Sequence, residues 1–250
     1  MARVDRPLAP HPPLPGYFRD ERERRTLVDH LFDVSAAHYD TVIGAMSLGS
    51  GRWYRRDALK RAGLAAGMDV LDLATGTGIV AKAAASLTAP ERVTGIDPSQ
   101  GMLEQARKVA PLRYVRGFAE HLPFKDRAFD FLSMGYALRH MEDLRTTFAE
   151  AHRVLRPGGR LLVLEITRPR SRAALLATRV YLGTVVPILT GALTRNHETS
   201  RLFRYYWETI AHCVPPETIL AALREAGFAT VERNVVLGIF SEYLGVKGAD

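Results

Sequence analysis

Between Val70 and Ile166 the chain repeats one rhythm, in which short apolar runs alternate with turns and helical patterns. Val70–Ala74, Val93–Ile96, Leu112–Val115, Phe129–Met134 and Arg160–Ile166 read as strands; 78–87, Ser99–Val109 and Asp143–Leu155 read as helices. Strands joined through helices make right-handed crossovers, which build a parallel sheet covered on both faces. Two last runs, Thr230–Val236 and Gly238–Val246, have only Gly238 and its neighbours between them, so they pair antiparallel at the sheet edge. The expected fold is therefore α/β and Rossmann-like, a mostly parallel seven-stranded sheet with an antiparallel edge hairpin and a helical cap.

The rest of the chain divides around that core. Residues 1–19 are expected to be a flexible tail, because residues 1–16 hold five prolines. A single domain then spans 20–250. It has a helical preamble over 20–66, read as helices 20–33, 35–48 and 52–65, and a cofactor-binding core over 67–167. Cap helices follow over 170–212, and a C-terminal helix and edge strands over 215–246. One cysteine, Cys213, excludes an internal disulfide framework. No stretch at the N-terminus reads as a signal peptide, and a cytoplasmic protein is expected.

The loop after the first strand reads Asp72-Leu73-Ala74-Thr75-Gly76-Thr77-Gly78. Its glycines allow a sharp turn and a close approach of backbone to ligand. With Asp97 at the end of the second strand, placed to accept hydrogen bonds from ribose hydroxyls, the loop fits either NAD or S-adenosylmethionine. Three features favour the latter. Asp72 stands where it can meet a cationic amino group. Phe118-Ala119-Glu120 follows the third strand, where an adenine would be held. The turn Leu155-Arg156-Pro157-Gly158-Gly159 and the closing hairpin have no place in a dinucleotide-binding domain.

With these motifs in view, the sequence resembles the class I methyltransferases, and within them the family that C-methylates the quinol ring in ubiquinone and menaquinone synthesis. The likeness spans roughly residues 32–246. It rests on Tyr39-Asp40, Met46-Ser47-x-Gly49 and Arg52, on L-D-L-A-T-G-T-G, and on Asp97-x-Ser99-x-x-Met102-Leu103. It continues through A-E-x-L-P-F, Leu138-Arg139 and L-R-P-G-G-R-L-L-V-L-E. The resemblance implies S-adenosyl-L-methionine as cofactor and no metal, with a small apolar acceptor. Residues expected to bind the cofactor are Asp72, Ala74, Thr75, Gly76, Thr77, Gly78, Asp97, Pro98, Met102, Phe118, Ala119, Glu120 and Gly135. The family usually has asparagine at Phe118 and serine at Gly135, and phenylalanine-glycine before leucine-arginine-asparagine where this chain reads Tyr136-Ala137-Leu138-Arg139-His140. In place of the family's asparagine-aspartate pair this chain has Ile43-Gly44.

Methyl transfer to a quinol requires that a hydroxyl proton be removed and the oxyanion stabilised. His140 is the expected base and Arg139 the expected cation, since both follow the fourth strand at the sheet's carboxyl edge. Tyr39, Tyr136, His197 and Tyr206 are candidates for the acceptor pocket; Trp53 and Trp207 are expected to pack within the cap. Ala173–Leu193 is apolar apart from Arg179 and Pro187, and reads as a cap helix broken near Pro187. Formal net charge is +7, and Arg168 to Arg204 holds seven arginines against one acid, Glu198. That stretch suits either a solvated helix face or contact with anionic lipid at the inner face of a membrane. No nucleic-acid module is visible. The rival reading is O- or N-methylation of another small molecule or of a phospholipid headgroup.

Overall fold

The computed structural model describes residues 7–47, 50–169, 171–194 and 196–249. Two helices lead, α1 (Glu21–Ser47) and α2 (Ser50–Arg61). Two helices were expected where α1 runs unbroken. Neither Gly nor Pro occurs between Glu21 and Ile43, and Ser35, near the supposed break, is fully buried.

The core follows in order: β1 (Val70–Leu73), α3 (Ile79–Ala85), β2 (Val93–Asp97), α4 (Gln100–Val109), β3 (Arg113–Arg116), β4 (Phe129–Gly135), α5 (Leu144–Val154) and β5 (Leu155–Ile166). Each residue of β1 and β2 is buried, as expected for strands covered on both faces. Polar caps start the helices at the places the sequence marks. Ser99 Oγ accepts from Met102 N at 3.1 Å, and Asp143 Oδ1 accepts from Arg145 N at 3.1 Å.

The cap comprises α6 (Arg172–Val180), a wide i→i+5 turn over Tyr181–Val185, α7 (Val186–Thr194) and α8 (His197–His212). Then come α9 (Pro216–Glu225), β6 (Phe228–Val236) and β7 (Phe240–Lys247). The break expected at Pro187 takes the form of that wide turn. Pro187 has no N–H to donate, and its ring would press on the carbonyl of Gly183; widening the preceding turn accommodates it. Trp207 packs beneath, its ring 3.1 Å from where a Cβ on Gly183 would sit. Trp53, expected to pack likewise, is instead 79% exposed, because the neighbouring Tyr54 and Arg55 take the inward face of α2.

The seven strands run in the order β3-β2-β1-β4-β5-β7-β6. The first five are parallel; β7 lies antiparallel between β5 and β6.

The N-terminal segment is not the loose tail expected. Over its described residues it lies along the body. Leu8 N donates to Asp143 Oδ1 at 2.8 Å, Leu144 N donates to Leu8 O at 3.0 Å, and Val214 N donates to Pro10 O at 2.8 Å. Proline holds a chain extended and leaves its carbonyls free to accept, while the apolar residues between the prolines find a groove. Leu14 and Phe18 are buried among Leu31, Leu202 and Tyr205. The segment thus ties α1 to α8. Truncating Phe18→Ala should cost about 3 kcal/mol by urea unfolding, near the low end for a buried phenylalanine. A loss under about 0.5 kcal/mol would show that the segment is not part of the folded body.

Candidate active site

A cavity of about 690 Å³ opens at the carboxyl ends of β1, β2 and β4, where ligands of open α/β sheets bind. Its floor is the glycine loop. Gly76 at φ 56° donates its N–H to Asp97 Oδ2 at 2.8 Å, and Ser99 N donates to Asp97 Oδ1 at 2.9 Å. A Cβ on Gly76 would meet no atom within 4 Å, so the glycine leaves space open above the loop. Two strand ends adopt a backbone that non-glycine residues rarely take. Ala74 has φ 48° and Tyr136 has φ 62°, and both line the cavity. Strain of this kind concentrates where a scaffold holds a ligand-facing residue in place.

Of the expected cofactor-binding residues, Ala74, Thr75, Gly76, Thr77, Asp97, Pro98, Met102, Phe118, Ala119, Glu120 and Gly135 line this cavity. Asp72 and Gly78 do not. Register sets Asp72 beside Ser133 of β4, and the carboxylate accepts from Ser133 Oγ and from Thr75 Oγ1, each at 2.6 Å. It braces the loop from below. Gly78 caps α3 at φ 78°, and a Cβ there would strike the Tyr114 hydroxyl at 2.7 Å, so it serves the packing of α3. Gly135, where the resembled family usually has serine, faces Val80; a Cβ there would come within 2.6 Å of its Cγ2.

Burial pushes both central acids up. Asp72 and Asp97 each rise to about 6, as desolvation outweighs the hydrogen bonds that favour the charged form. Asp29 of α1 also lines the cavity, and its carboxyl is raised by burial.

Helix α1 closes the site. Asp33 accepts from Ser99 Oγ at 2.6 Å and Gly101 N at 2.9 Å, and Asp40 accepts from Thr77 Oγ1. Val28, Phe32, Tyr39 and Ile43 form one face of α1 that turns into the cavity. Tyr39 meets Tyr206 hydroxyl to hydroxyl at 3.3 Å.

The two expected catalytic residues part company. Arg139 is fully buried and outside the cavity wall. Its Nε donates to Glu165 Oε1 at 2.9 Å, its Nη1 to Thr209 Oγ1 at 2.9 Å, and its guanidinium lies 4.5 Å from the centre of the Tyr206 ring. The guanidinium is consumed inside the protein and cannot face an acceptor. His197 is likewise misassigned; it stands exposed at the start of α8, away from the cavity. Its neighbour Asn196 caps the helix, accepting from Glu198 N at 2.9 Å, and the inward face of this first turn is taken by the buried Thr199 and Ser200.

His140 does line the cavity, among Phe32, Tyr205 and Tyr206. Both ring nitrogens are buried, with no hydrogen-bond partner among the described residues. Burial, and then the nearby Arg139, hold its pKa well below the ordinary value, so the imidazole is neutral.

Among the described residues three arginines do line the cavity: Arg24, which donates to the carbonyls of His140 and Met141, Arg25, which pairs with Glu142, and Arg55 of α2. For Arg55 the close contact is an aromatic ring. The residue is 8% exposed, its guanidinium lies 5.4 Å from the centre of the Tyr136 ring, and it reaches the cavity wall beside Tyr54. Sequence alone does not single it out, because the three arginines in Arg52–Arg56 give no hint of which turns inward. Gly49, Arg170 and Arg195 lie outside the described residues.

A model of the ubiE/COQ5 methyltransferase family matches residues 19–247. Among curated relatives, the ubiquinone/menaquinone biosynthesis C-methyltransferase UbiE of Hahella chejuensis is 33% identical; the match covers 90% of this chain and 93% of that protein. The demethylmenaquinone methyltransferase of Symbiobacterium thermophilum is 32% identical, with 93% and 98% covered. Among solved structures, a SAM-dependent methyltransferase of Thermotoga maritima aligns with a TM-score of 0.62 at 21% identity, covering 87% of this chain and 98% of that one. A phosphoethanolamine N-methyltransferase of Haemonchus contortus aligns at 0.64 and 18% identity, covering 90% and 60%. At those identities the solved structures speak to the fold.

The imidazole gives a pH signature of its own. A histidine whose folded pKa is lowered costs stability as pH falls through its unfolded value, because the unfolded chain takes up the proton first. Relative to His140→Phe, the protein should lose stability below about pH 6.5, with a limiting slope of about 1.4 kcal/mol per pH unit. Parallel stability curves for the two proteins from pH 7 to 5 would contradict a neutral, buried His140.

Proposed function

Because the chain belongs to the ubiE/COQ5 methyltransferase family, and is thus an S-adenosylmethionine-dependent methyltransferase, we propose that its acceptor is a demethylated quinol methylated at a ring carbon. The observation that carries this reading is a deep, mostly apolar cavity lined by the neutral imidazole of His140 and the guanidinium of Arg55, above a glycine loop and a buried acid.

The residues of the loop fit the cofactor. Gly76 leaves a cradle that a Cβ would fill, and Asp97 presents a carboxylate whose remaining lone pairs suit a ribose diol. Phe118 and Met102 supply apolar surface for a flat base. When bound, S-adenosylmethionine supplies a methyl group on a sulfonium, with a neutral thioether as the leaving group.

The chain's own residues make the acceptor nucleophilic and keep water out. In this reading His140 takes the hydroxyl proton of the quinol on a ring nitrogen, and Arg55 stabilises the resulting phenolate, the role that Arg139 cannot fill. A low pKa suits the task in one respect. The imidazolium is stabilised only while the phenolate stands beside it; once methyl transfer leaves the ring a neutral dienone, it gives its proton to solvent. The neutral imidazole then takes the proton from the methylated carbon and returns it to the ring oxygen, so that one proton leaves overall. Phe32, Tyr39, Ile43 and Tyr206 surround the ring and exclude solvent. Arg139 acts as a positioning residue, holding Tyr206 and the strand end that carries His140.

Two measurements test the two halves. By calorimetry with S-adenosylhomocysteine, Asp97→Asn should weaken binding at pH 7.5 about tenfold or more, the worth of a charge-assisted hydrogen bond. Wild-type affinity should fall as pH drops through about 6, where Asp97 takes up a proton, and the variant should show a weaker dependence, that of Asp72 beneath the loop. For the acceptor, a short-chain demethylmenaquinol incubated with S-adenosylmethionine should gain one methyl on a ring carbon, located by mass spectrometry and NMR. Arg55→Met should lower kcat about a hundredfold and leave S-adenosylhomocysteine binding intact. Methylation of a quinol oxygen, or of a phospholipid headgroup in place of the quinol, would move the chain to the rival reading.

A further inference from the structure

The cap carries an apolar surface that methyl transfer does not explain. Over Arg172–Ala192 a 21-residue helical stretch reaches a mean hydropathy of 1.5, yet only 17% of its most apolar window is buried. Leu176, Val180, Val185, Ile188 and Leu189 are exposed by 61, 49, 37, 63 and 53%. A soluble helix usually hides such residues, and an exposed stripe of this length marks an interaction surface. The opposite side is already taken. Val186 and Thr190 are buried, and Gly183 packs on Trp207. The stretch therefore lies along the body rather than crossing a bilayer by itself.

The stripe adjoins the mouth of the cavity. Ala177, Thr178, Tyr181 and Leu182 line the cavity from the inner side of the same stretch. Tyr181 is also 42% exposed, and Leu237, in the β6–β7 turn, lines the cavity while 84% exposed. The rim is thus apolar, and continuous with the exposed helix.

Charge identifies what covers it. Arg168, Arg172 and Arg179 are exposed at the start of the stretch and along it, and Arg201 and Arg204 are exposed on α8. No acidic residue occurs from Arg168 to His197. A second copy of the same basic face would repel it, whereas an anionic lipid surface attracts arginines and accepts apolar side chains beneath them.

We propose that α6 and α7 lie in the interface of an anionic bilayer, with the cavity mouth facing the lipid. An acceptor with an apolar tail then enters at Tyr181 and Leu237 without crossing water, its ring inside and its tail still in the bilayer. The docking itself stands on the surface described here; only the passage of a tailed acceptor rests on the proposed quinol.

The test is flotation of the full chain with vesicles of phosphatidylcholine alone, or with 30% phosphatidylglycerol (a composition of roughly physiological negative charge). The protein should float with the anionic vesicles and stay behind with the neutral ones. A triple variant, Leu176→Glu with Ile188→Glu and Leu189→Glu, should lose at least tenfold in vesicle affinity. None of these three side chains lines the cavity, so S-adenosylhomocysteine binding should be unchanged, which separates lost docking from lost folding. Arg168→Gln with Arg172→Gln and Arg179→Gln should weaken binding to anionic vesicles and flatten its salt dependence. Equal binding to both vesicle types, or none to either, would overturn the proposal. So would dimers in light scattering that the triple glutamate variant dissociates, since a second copy would then own the face. A failure of the quinol assay leaves these outcomes standing.

Discussion

A guanidinium with no exposed atom holds this molecule's two halves together. Arg139 leaves the end of β4, pairs with Glu165 at the end of β5, and bonds Thr209 and the Tyr206 carbonyl of α8. Desolvation opposes the charge on each partner; their mutual attraction overcomes it for Arg139 and offsets it only in part for Glu165, whose carboxyl stays above the usual range. Removing one partner would strand the other, typically at about 3–5 kcal/mol. Because the same guanidinium bonds both the sheet and α8, it ties the cap to the sheet beside the cavity. The Tyr206 ring and the neutral His140 are placed against that tie.

The parallel core was legible because its strands are bounded by turn signals and the central ones, such as β1 and β2, are buried on both faces, so hydrophobic runs place them; β3, at the edge, is not buried. The closing hairpin was legible from the turn signal at Gly238. Three features were not. The proline-rich start reads as loose by composition, yet its backbone bonds to Asp143, Leu144 and Val214, far away in sequence. The continuity of α1 was lost because a supposed break at residue 34 split the face formed by Val28, Phe32, Tyr39 and Ile43. The role of Arg139 was misread because proximity to the sheet's carboxyl edge does not say which way a side chain points. Its partner Glu165 is 26 residues further on, and only the register of β4 with β5 brings the two strand ends side by side.

Asp72 is a related case. Its place before the glycine loop suggested contact with a ligand, but the register of β1 with β4 puts Ser133 directly beside it. The acid shapes the loop that meets the ligand. Arg55 shows the converse. An arginine in a basic helical stretch reads as solvated surface, yet the helix turns it inward over Tyr136, and the tyrosine's unusual backbone at φ 62° aims the ring to receive it.

The strand order has a consequence for how such a chain is made. β7 is the last strand in sequence but sits between β5 and β6, and it supplies the whole antiparallel partner of β5 from Arg160 to Ile166. During synthesis the free edge of β5 must therefore wait for some 75 residues more, about 4–15 s at ordinary rates of elongation. For that interval a row of unpaired backbone groups and the apolar residues Leu161–Leu164 stand open to other chains. The emergence of Tyr243 and its neighbours, and not the making of the parallel core, therefore sets the earliest moment at which the β5 edge can close.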